Sequence, residues 1–217
     1  MSKPPANRVS FFVDGFNLYH SLCSALHRHP DSPVKWLNLP SLLDSILYTM
    51  DGHCERQDLY YFTAYAEHLS QKKPEKISRH KAYVRALTAS GVTVVKNHFK
   101  RKDVWDSFDR TKVVSHEEKE TDVAIACYVL KGAHLDQFDT AVVVSGDTDL
   151  RPLAETFREI YPTKKLLFAF PYDRKNSALE KVAPGSFAFS AKAYAAHQFP
   201  EKIRLPSNKH VFKPKEW

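Results

Sequence analysis

The sequence has few cysteines and no long apolar run, and each absence argues against a class of protein. The three cysteines, Cys23, Cys54 and Cys127, lie far apart and form no CxxC motif. A disulfide framework or a cysteine zinc site is therefore not expected. No apolar run reaches the roughly 18 residues that span a bilayer, and residues 1–8 lack the apolar core of a secretory signal. We expect a cytoplasmic protein that does not enter the membrane.

The composition is that of a folded globular protein with a sizeable core. Of 217 residues, 43% are hydrophobic and 26% are charged, and no repeat or low-complexity segment interrupts them. Lys and Arg number 32 against 25 Asp and Glu, which gives a formal net charge of +7. A basic balance permits nucleic acid as a partner but does not by itself establish one.

Short apolar segments alternate along the chain with segments of helical periodicity. Strands are predicted at residues 8–13, 58–65, 92–95, 141–144, 165–170 and 187–189. Helices are predicted at residues 16–29, 39–50, 74–89, 115–131, 148–160 and 176–182. The helix at 115–131 rests on the capping-box spacing of Ser115 and Glu118 and on Gly132 as its stop. Such alternation predicts a parallel sheet covered by helices on both faces.

Two segments depart from this alternation. Residues 99–104 and 111–114 flank a polar turn at 106–109, which indicates a protruding hairpin or an irregular arm. From about residue 197 the chain becomes rich in Pro and Lys. We therefore predict a domain at 1–196 and a basic tail at 197–217, either solvated or docked on the body through its few apolar residues.

Acidic side chains follow the first predicted strand and the strand at 141–144. Asp14 comes directly after the first, and Asp147 and Asp149 come just after the second. Ligands of open parallel sheets bind outside the carboxyl ends of the strands. A fourth acid, Asp122, lies early in a helix whose next eight residues are apolar almost all round, so it is expected to be partly buried.

Four carboxylates in one crevice repel one another and lose water. They must share protons, pair with cations or bind a metal. Oxygen ligands select hard cations, and Mg²⁺ or Mn²⁺ suits a site of carboxylates and waters. Such a site holds a phosphodiester and activates water for in-line attack, so that no protein nucleophile is needed.

Each acid also has an ordinary structural interpretation. Asp14 and Gly15 can form a tight turn after a strand, and Asp147 or Asp149 can cap the following helix. Asp122 can simply interact with the dipole at a helix N-terminus. The combination of the four is harder to explain in this way than any single member.

Two polar residues stand beside these acids. Asn17 is three residues beyond Asp14 and is placed to orient it or to touch a water on the metal. Ser145 is placed to hydrogen-bond Asp14 or a ligand phosphate, although a serine at the end of a strand is commonly only structural.

The acidic segments resemble the NYN-domain branch of the PIN-like nucleases, and specifically its bacterial LabA-like group. The matching segments are FFVDGFNLY (11–19), EEKETDVAIACYVL (117–130) and AVVVSGDTDLRPLAE (141–155). Their order and approximate spacing agree with the family, and the likeness in organisation covers roughly residues 8–190.

This resemblance implies a PIN-like (Rossmann-like) α/β fold, a three-layer sandwich with a mainly parallel central sheet. It also implies divalent-metal-dependent cleavage of RNA with Mg²⁺ or Mn²⁺. Lys119 falls at the family's usual lysine, where it would neutralise the site or a phosphate. The catalytic and metal-binding residues carried over by position are Asp14, Asp122, Asp147 and Asp149, supported by Asn17, Ser145 and Lys119.

A phosphate-bearing substrate also needs positive charge near the acids. Lys100, Arg101 and Lys102 precede the turn of the predicted arm, and Lys112 follows it. Trp105 is placed to stack an unpaired base, unless the arm is only a solvated hairpin with Trp105 packed on the body.

Two further basic features have competing interpretations. Arg151 lies beside the acids and either contacts the scissile phosphate or pairs with Glu155, four residues on. The predicted helix at 74–89 is basic, but such a charge run is usually only a solvated helix face.

Three functions are compatible with these residues. The first is a metal-dependent ribonuclease acting on single-stranded or structured RNA, and the second is a catalytically weak RNA-binding or regulatory protein that keeps the fold. The third is a phosphatase of the haloacid-dehalogenase type, which needs a second acid two residues after Asp14, where Phe16 stands. The sequence leaves a homo-oligomer open.

Overall fold

The computed structural model describes residues 6–67, 71, 73–105 and 112–217, with the side chains at 98–105 and 112–119 left out. Its strands are β1 (Asn7–Asp14), β2 (Cys54–Ala64), β3 (Thr93–Trp105), β4 (Lys112–Lys119), β5 (Thr140–Val144), β6 (Lys165–Phe170), β7 (Ser186–Ala188), β8 (Lys202–Arg204) and β9 (His210–Phe212). Its helices are α1 (Gly15–Arg28), α2 (Leu39–Leu47), α3 (Pro74–Ala89), α4 (Thr121–His134), α5 (Arg151–Ile160), α6 (Ser177–Val182) and α7 (Ala191–Ala196). A short 3₁₀ turn, Thr148–Leu150, precedes α5.

Seven of the strands form one sheet in the order β4-β3-β2-β1-β5-β6-β7. All neighbouring pairs are parallel except β3 and β4, which pair antiparallel at one edge. The chain builds outward from β1 first through β2 and β3, and then on the other side through β5, β6 and β7. The order therefore reverses between β1 and β5, which is where such sheets leave a crevice for ligands.

Side chains alternate between two apolar layers because successive strand residues point to opposite faces. Phe11 packs with Leu18 of α1 and the fully buried Trp36 on one face. Phe12 packs with Ile125 of α4 and Phe157 of α5 on the other. The protein is thus a three-layer α/β sandwich with a mainly parallel central sheet, as expected from the alternation of elements.

The helix predicted from Ser115 is wrong at its beginning. Residues up to Lys119 belong to β4, which pairs with β3, and the chain turns at Glu120, whose φ is 77°. Helix α4 begins at Thr121 and continues past Gly132 to His134. A Cβ at Gly132 would lie 2.6 Å from the Phe138 ring, so this glycine permits close packing and does not stop the helix.

The predicted arm is an extended antiparallel pair of strands. Backbone partners run from His98 opposite Lys119 to Trp105 opposite Lys112. This pairing confirms the hairpin interpretation for the strands, while the predicted turn at 106–109 lies outside the described residues.

The segment after residue 190 packs on the body of the protein. Phe199 N donates to the Trp36 carbonyl oxygen at 2.8 Å, and β8 and β9 form a small antiparallel hairpin. The Trp217 ring lies 6.0 Å from both Trp36 and Tyr83. These contacts correspond to the docked form of the tail; the domain boundary at 196 stays a prediction. In the described part of the chain, no helix combines the length and apolar character needed to cross a membrane.

Candidate functional site

The ends of β1 and β5 place a serine and an aspartate side by side. Val13 pairs with Val144, so the next residues, Asp14 and Ser145, leave the sheet together. The Ser145 hydroxyl donates to Asp14 Oδ2 at 2.9 Å. Both residues are buried, at 0% and 4% exposure for Ser145 and Asp14. Of the two contacts that the sequence allows for Ser145, the structure contains the one to Asp14.

Asp14 is both the last residue of β1 and the N-cap of α1. Its Oδ1 accepts hydrogen bonds from Phe16 N at 3.0 Å and Asn17 N at 2.9 Å, which satisfies two free amides of the first helical turn. Burial raises the pKa of Asp14, and the charge of Asp147 adds to this, while the hydrogen bonds to the carboxylate oppose it. Three donors therefore fix a carboxylate that burial destabilises.

The loop after β5 is tied to the same point. Ser145 Oγ accepts from Asp147 N at 3.1 Å, and the Asn17 side-chain oxygen accepts from Gly146 N at 3.2 Å. Asp147 Oδ1 in turn accepts from Asp149 N at 3.1 Å and caps the 3₁₀ turn. The capping interpretation of Asp147 is therefore correct, and Asn17 orients the β5 loop with its side chain.

Asp122 faces these acids from the first turn of α4. Burial raises the pKa of this half-exposed carboxyl, and the negative charges of Asp14, Asp147 and Asp149 act in the same direction, so that together they bring it to about 6. Like charges act in this way only when they are close together. Ser145 joins Asp14 to Asp147 at the ends of β1 and β5, and Asp149 follows in the same loop. Asp122 lies within electrostatic reach of these three acids. The four residues are called the four-aspartate site below.

The chemistry of the four-aspartate site suits a hard divalent cation. In the described part of the chain, no group of three or more His, Cys, Asp or Glu side chains is arranged to hold a metal ion. The donor set is nevertheless all carboxylate, as Mg²⁺ and Mn²⁺ prefer. Asp14 Oδ2 accepts a hydrogen bond from Ser145 and, as a carboxylate oxygen, has a further lone pair for a cation. A cation would also relieve the repulsion that raises the pKa of Asp122.

Sequence reasoning missed Arg174, one of two cations near α1, and treated the other, Lys76, as part of a basic helix face. Burial lowers the pKa of His20, one turn beyond Phe16, and the nearby charges of Arg174 and Lys76 lower it further. Arg174 Nε is buried and has no hydrogen-bond partner in the described structure. The Arg174 backbone packs so tightly on Gly146 that a Cβ there would overlap its carbonyl oxygen. No sequence pattern pairs Arg174 with Gly146, because the contact is tertiary.

The predicted RNA-binding residues are only partly described. Arg151 Nε donates to Glu155 Oε1 at 2.9 Å, so the expected intrahelical ion pair is present. Lys119 is the last residue of β4, three positions before Asp122. Only the backbone placement in β3 and β4 is described for Lys100, Arg101, Lys102, Trp105 and Lys112.

Comparison with known proteins assigns the chain to a family. The model of the NYN domain matches residues 8–204, nearly the whole chain. The chain belongs to the NYN-domain family. This family consists generally of nucleases, which supports a hydrolase-like enzyme at a coarse level.

Two individual proteins are similar to this NYN-domain protein. The 6-hydroxy-3-succinoylpyridine 3-monooxygenase HspA of Pseudomonas putida is 25% identical, over 97% of this chain and 75% of that protein. The crystal structure of a protein of unknown function from Vibrio parahaemolyticus superposes with a TM-score of 0.56 at 17% identity, covering 88% of this chain and 97% of that one. The second likeness concerns the fold alone.

Proposed function

We propose that this NYN-domain protein hydrolyses phosphodiester bonds of RNA at the four-aspartate site with Mg²⁺ or Mn²⁺. The observation that carries the proposal is the junction of β1 and β5, where Ser145 hydrogen-bonds both the buried Asp14 carboxylate and the amide of Asp147. The charges of Asp14, Asp147 and Asp149 also contribute, after burial, to the raised pKa of Asp122. Excess negative charge at the switch point of a sheet favours a cation there. Membership of a family of nucleases supports the same reaction class, and we place the chain in the LabA-like group on its three motifs.

The four acids would hold the cation, which supplies positive charge to the phosphate and makes water more acidic. Asp14 is the fixed member, because three hydrogen bonds orient its carboxylate. Asp122 and Asp149 are more exposed than Asp14, and their carboxylates would adjust to the cation. Asn17 and Ser145 keep the Asp147 loop against Asp14.

Positive charge near the site would bind the phosphates on either side of the reacting one. Arg174 and Lys76 supply it on the α1 side, where their charges act on His20. Lys119 and the basic residues of the arm supply it beyond α4 in this proposal. RNA is therefore the proposed partner, and a homo-oligomer remains a proposal that cleavage does not require.

The test is cleavage of a fluorescent single-stranded RNA with MnCl₂. Wild type is expected to cleave, excess EDTA to stop it, and Asp147→Asn to slow it at least about 100-fold. The asparagine can still accept the amide of Asp149, so the fold is expected to persist. Asp51→Asn is the matched control, because Asp51 is exposed beyond the amino end of β2. Equal cleavage by Asp147→Asn and wild type would remove the site from the reaction.

The same assay separates the alternative of a catalytically weak RNA-binding protein. Tight RNA binding in EDTA with no turnover in Mg²⁺, Mn²⁺ or other divalent ions would favour that alternative. A phosphatase of the haloacid-dehalogenase type is less favoured, because Phe16 stands where its second acid belongs. A phosphoaspartyl intermediate on Asp14 would reverse that order.

A second candidate is oxidation of a heteroaromatic small molecule. The support for it is the Pseudomonas putida relative, which is named as a monooxygenase of a pyridine compound and is similar to this chain over 97% of its length. The test is to incubate the protein with 6-hydroxy-3-succinoylpyridine and a reductant and to measure the consumption of oxygen. Oxygen uptake that depends on the pyridine, without any RNA cleavage, would replace the nuclease proposal.

A further inference from the structure

A cavity of about 160 Å³ lies beside the four-aspartate site, between α1, the carboxyl end of β2 and the first half of α3. Trp217 forms one side of it. The side chains that define its chemistry are Phe16, Tyr19, Tyr61, Tyr83, Trp217, Lys35, Lys76, Arg79 and His80.

The lining combines aromatic rings with positive charge. Five of the residues are Phe, Tyr or Trp, three are Lys or Arg, and among the described lining residues none is acidic. His80 adds no charge near neutral pH, because burial lowers its pKa to about 4, and its Nε2 lies 3.0 Å from Thr63 Oγ1. Such a lining suits a flat aromatic ring that carries an anionic group.

Arg79 is positioned to meet that anionic group. Its Nη1 lies 3.7 Å from Glu216 Oε2, a long ion pair with an exposed carboxylate. Burial and Cys23 raise the pKa of the Tyr19 phenol to about 12, and the charge of Arg79 opposes this, so Arg79 lies near the aromatic lining. An incoming phosphate would compete with a weak surface partner and not with a buried one.

Two residues of the cavity lining are close chain neighbours of Asp14. Gly15 and Phe16 line the cavity, and they directly follow Asp14. Phe16 N donates to Asp14 Oδ1, so the backbone that fixes the buried acid also forms a wall of the cavity. Lys76 belongs both to the cavity lining and to the charges that act on His20.

We propose that this cavity binds one unpaired nucleotide of the RNA strand next to the bond that is cleaved. The base lies among the aromatic rings, and its phosphate meets Lys76 and Arg79. Bases of a duplex are stacked and paired and cannot enter, so the substrate class is single-stranded RNA. This inference rests on the proposed function for the cleaved bond, but the binding itself requires no turnover.

Binding is measured in EDTA, so that catalysis does not enter. The probes are 5′-AMP, a single-stranded hexa-adenylate and the same strand annealed to its complement. We expect 5′-AMP and the single strand to quench the fluorescence of Trp217, and the duplex to bind at least about tenfold more weakly. Trp217→Phe is expected to lose the quenching by 5′-AMP while calorimetry still detects its binding, because a ring remains.

The cations are tested with Lys76→Gln and Arg79→Gln against Arg85→Gln. Arg85 is an exposed residue of the same helix that does not line the cavity. We expect the first two to weaken 5′-AMP binding about tenfold each, since a hydrogen bond to a charged group contributes about that factor. In cleavage assays they are expected to raise KM for RNA more than they lower kcat, while Arg85→Gln behaves as wild type.

Several outcomes overturn the inference. The first is that Lys76→Gln and Arg79→Gln melt normally and bind 5′-AMP as tightly as wild type does. The second is that the duplex binds as tightly as the single strand. The third is that pyridine-3-carboxylate binds and 5′-AMP does not. If RNA cleavage persists alongside any of these results, the protein is still a nuclease, but the cavity does not bind its substrate. Nucleotide binding without any metal-dependent cleavage removes the proposed function, and with it the claim about the cleaved bond.

Discussion

The Ser145 hydroxyl donates to the buried Asp14 carboxylate over 2.9 Å, and this bond joins the carboxyl ends of β1 and β5. The same oxygen of Ser145 accepts the amide of Asp147. One side chain thus connects two of the four acids across the point where the strand order reverses. Loss of the Ser145 hydroxyl should therefore disturb both Asp14 and Asp147.

Ser145→Ala is expected to lower the free energy of unfolding by about 1–3 kcal/mol, because it leaves a buried carboxylate oxygen and an amide without this partner. Ser10→Ala is the matched control, since Ser10 is also fully buried but its hydroxyl has no partner in the described structure. Urea unfolding compares the two. Equal effects of the two substitutions would mean that the Ser145 bonds contribute no stability.

Gly146→Ala tests the tight packing of the loop after β5. A Cβ at this position would overlap the carbonyl oxygen of Arg174, so the residue 174 segment must move away from the acids. We expect a loss of about 1–3 kcal/mol in stability and a larger loss of RNA cleavage. Gly185→Ala is the control, because its Cβ would come no closer than 3.5 Å to Leu167. Thermal melts and RNA cleavage rates are compared between Gly146→Ala and Gly185→Ala.

Asp122→Asn should make the protein more stable while it removes function. The folded pKa of about 6 lies above the ordinary 3.8, so the folded state binds the proton more tightly, and stability falls as pH rises from about 4 to 6. Asparagine does not ionise. Because Asp122 is half exposed, we expect a gain of only about 1 kcal/mol at pH 8, or roughly 2–4 °C in Tm.

The same gain should shrink when the melts are repeated at pH 5, where the wild-type carboxyl is largely protonated. Asp51→Asn serves as the control for loss of a negative charge. A gain that is the same at both pH values would show that the pKa of Asp122 is not raised in the folded protein, either by burial or by the other acids.

The basic arm should contribute phosphate contacts. We expect replacement of Lys100, Arg101 and Lys102 together by Gln to weaken RNA binding at low salt and to flatten its dependence on salt concentration. Each lost phosphate contact lowers the salt slope by about 0.7 for a single strand. Replacement of Lys164 by Gln is the control for a lost cation, because Lys164 binds Asp136 and the Phe138 carbonyl on another surface. An unchanged slope in the triple variant would remove the arm from the RNA interface.

Much of the fold was predictable because strand and helix periods are local signals. The buried runs at 141–144 and 165–170 and the helix at 74–89 agree with the structure to within a residue. The helix start at Ser115 was wrong, because a local capping pattern was outweighed by pairing with β3. Helix α7 was missed, since a short segment rich in alanine has no apolar face of clear period.

The acids were predictable for a different reason. Parallel strands end at one edge, so position along the sequence alone places Asp14 beside the Asp147 loop. Arg174, Arg79 and Trp217 were not predictable in the same way, because they reach the site or its neighbouring cavity only through tertiary packing of segments far apart in the chain.

The most direct test of the account is anomalous diffraction from crystals soaked in MnCl₂ at a concentration that supports RNA cleavage. We predict an anomalous peak among the carboxylates of Asp14, Asp122, Asp147 and Asp149, and its loss in Asp14→Asn crystals. Clear manganese peaks elsewhere on the protein, with none at these four carboxylates, would contradict it.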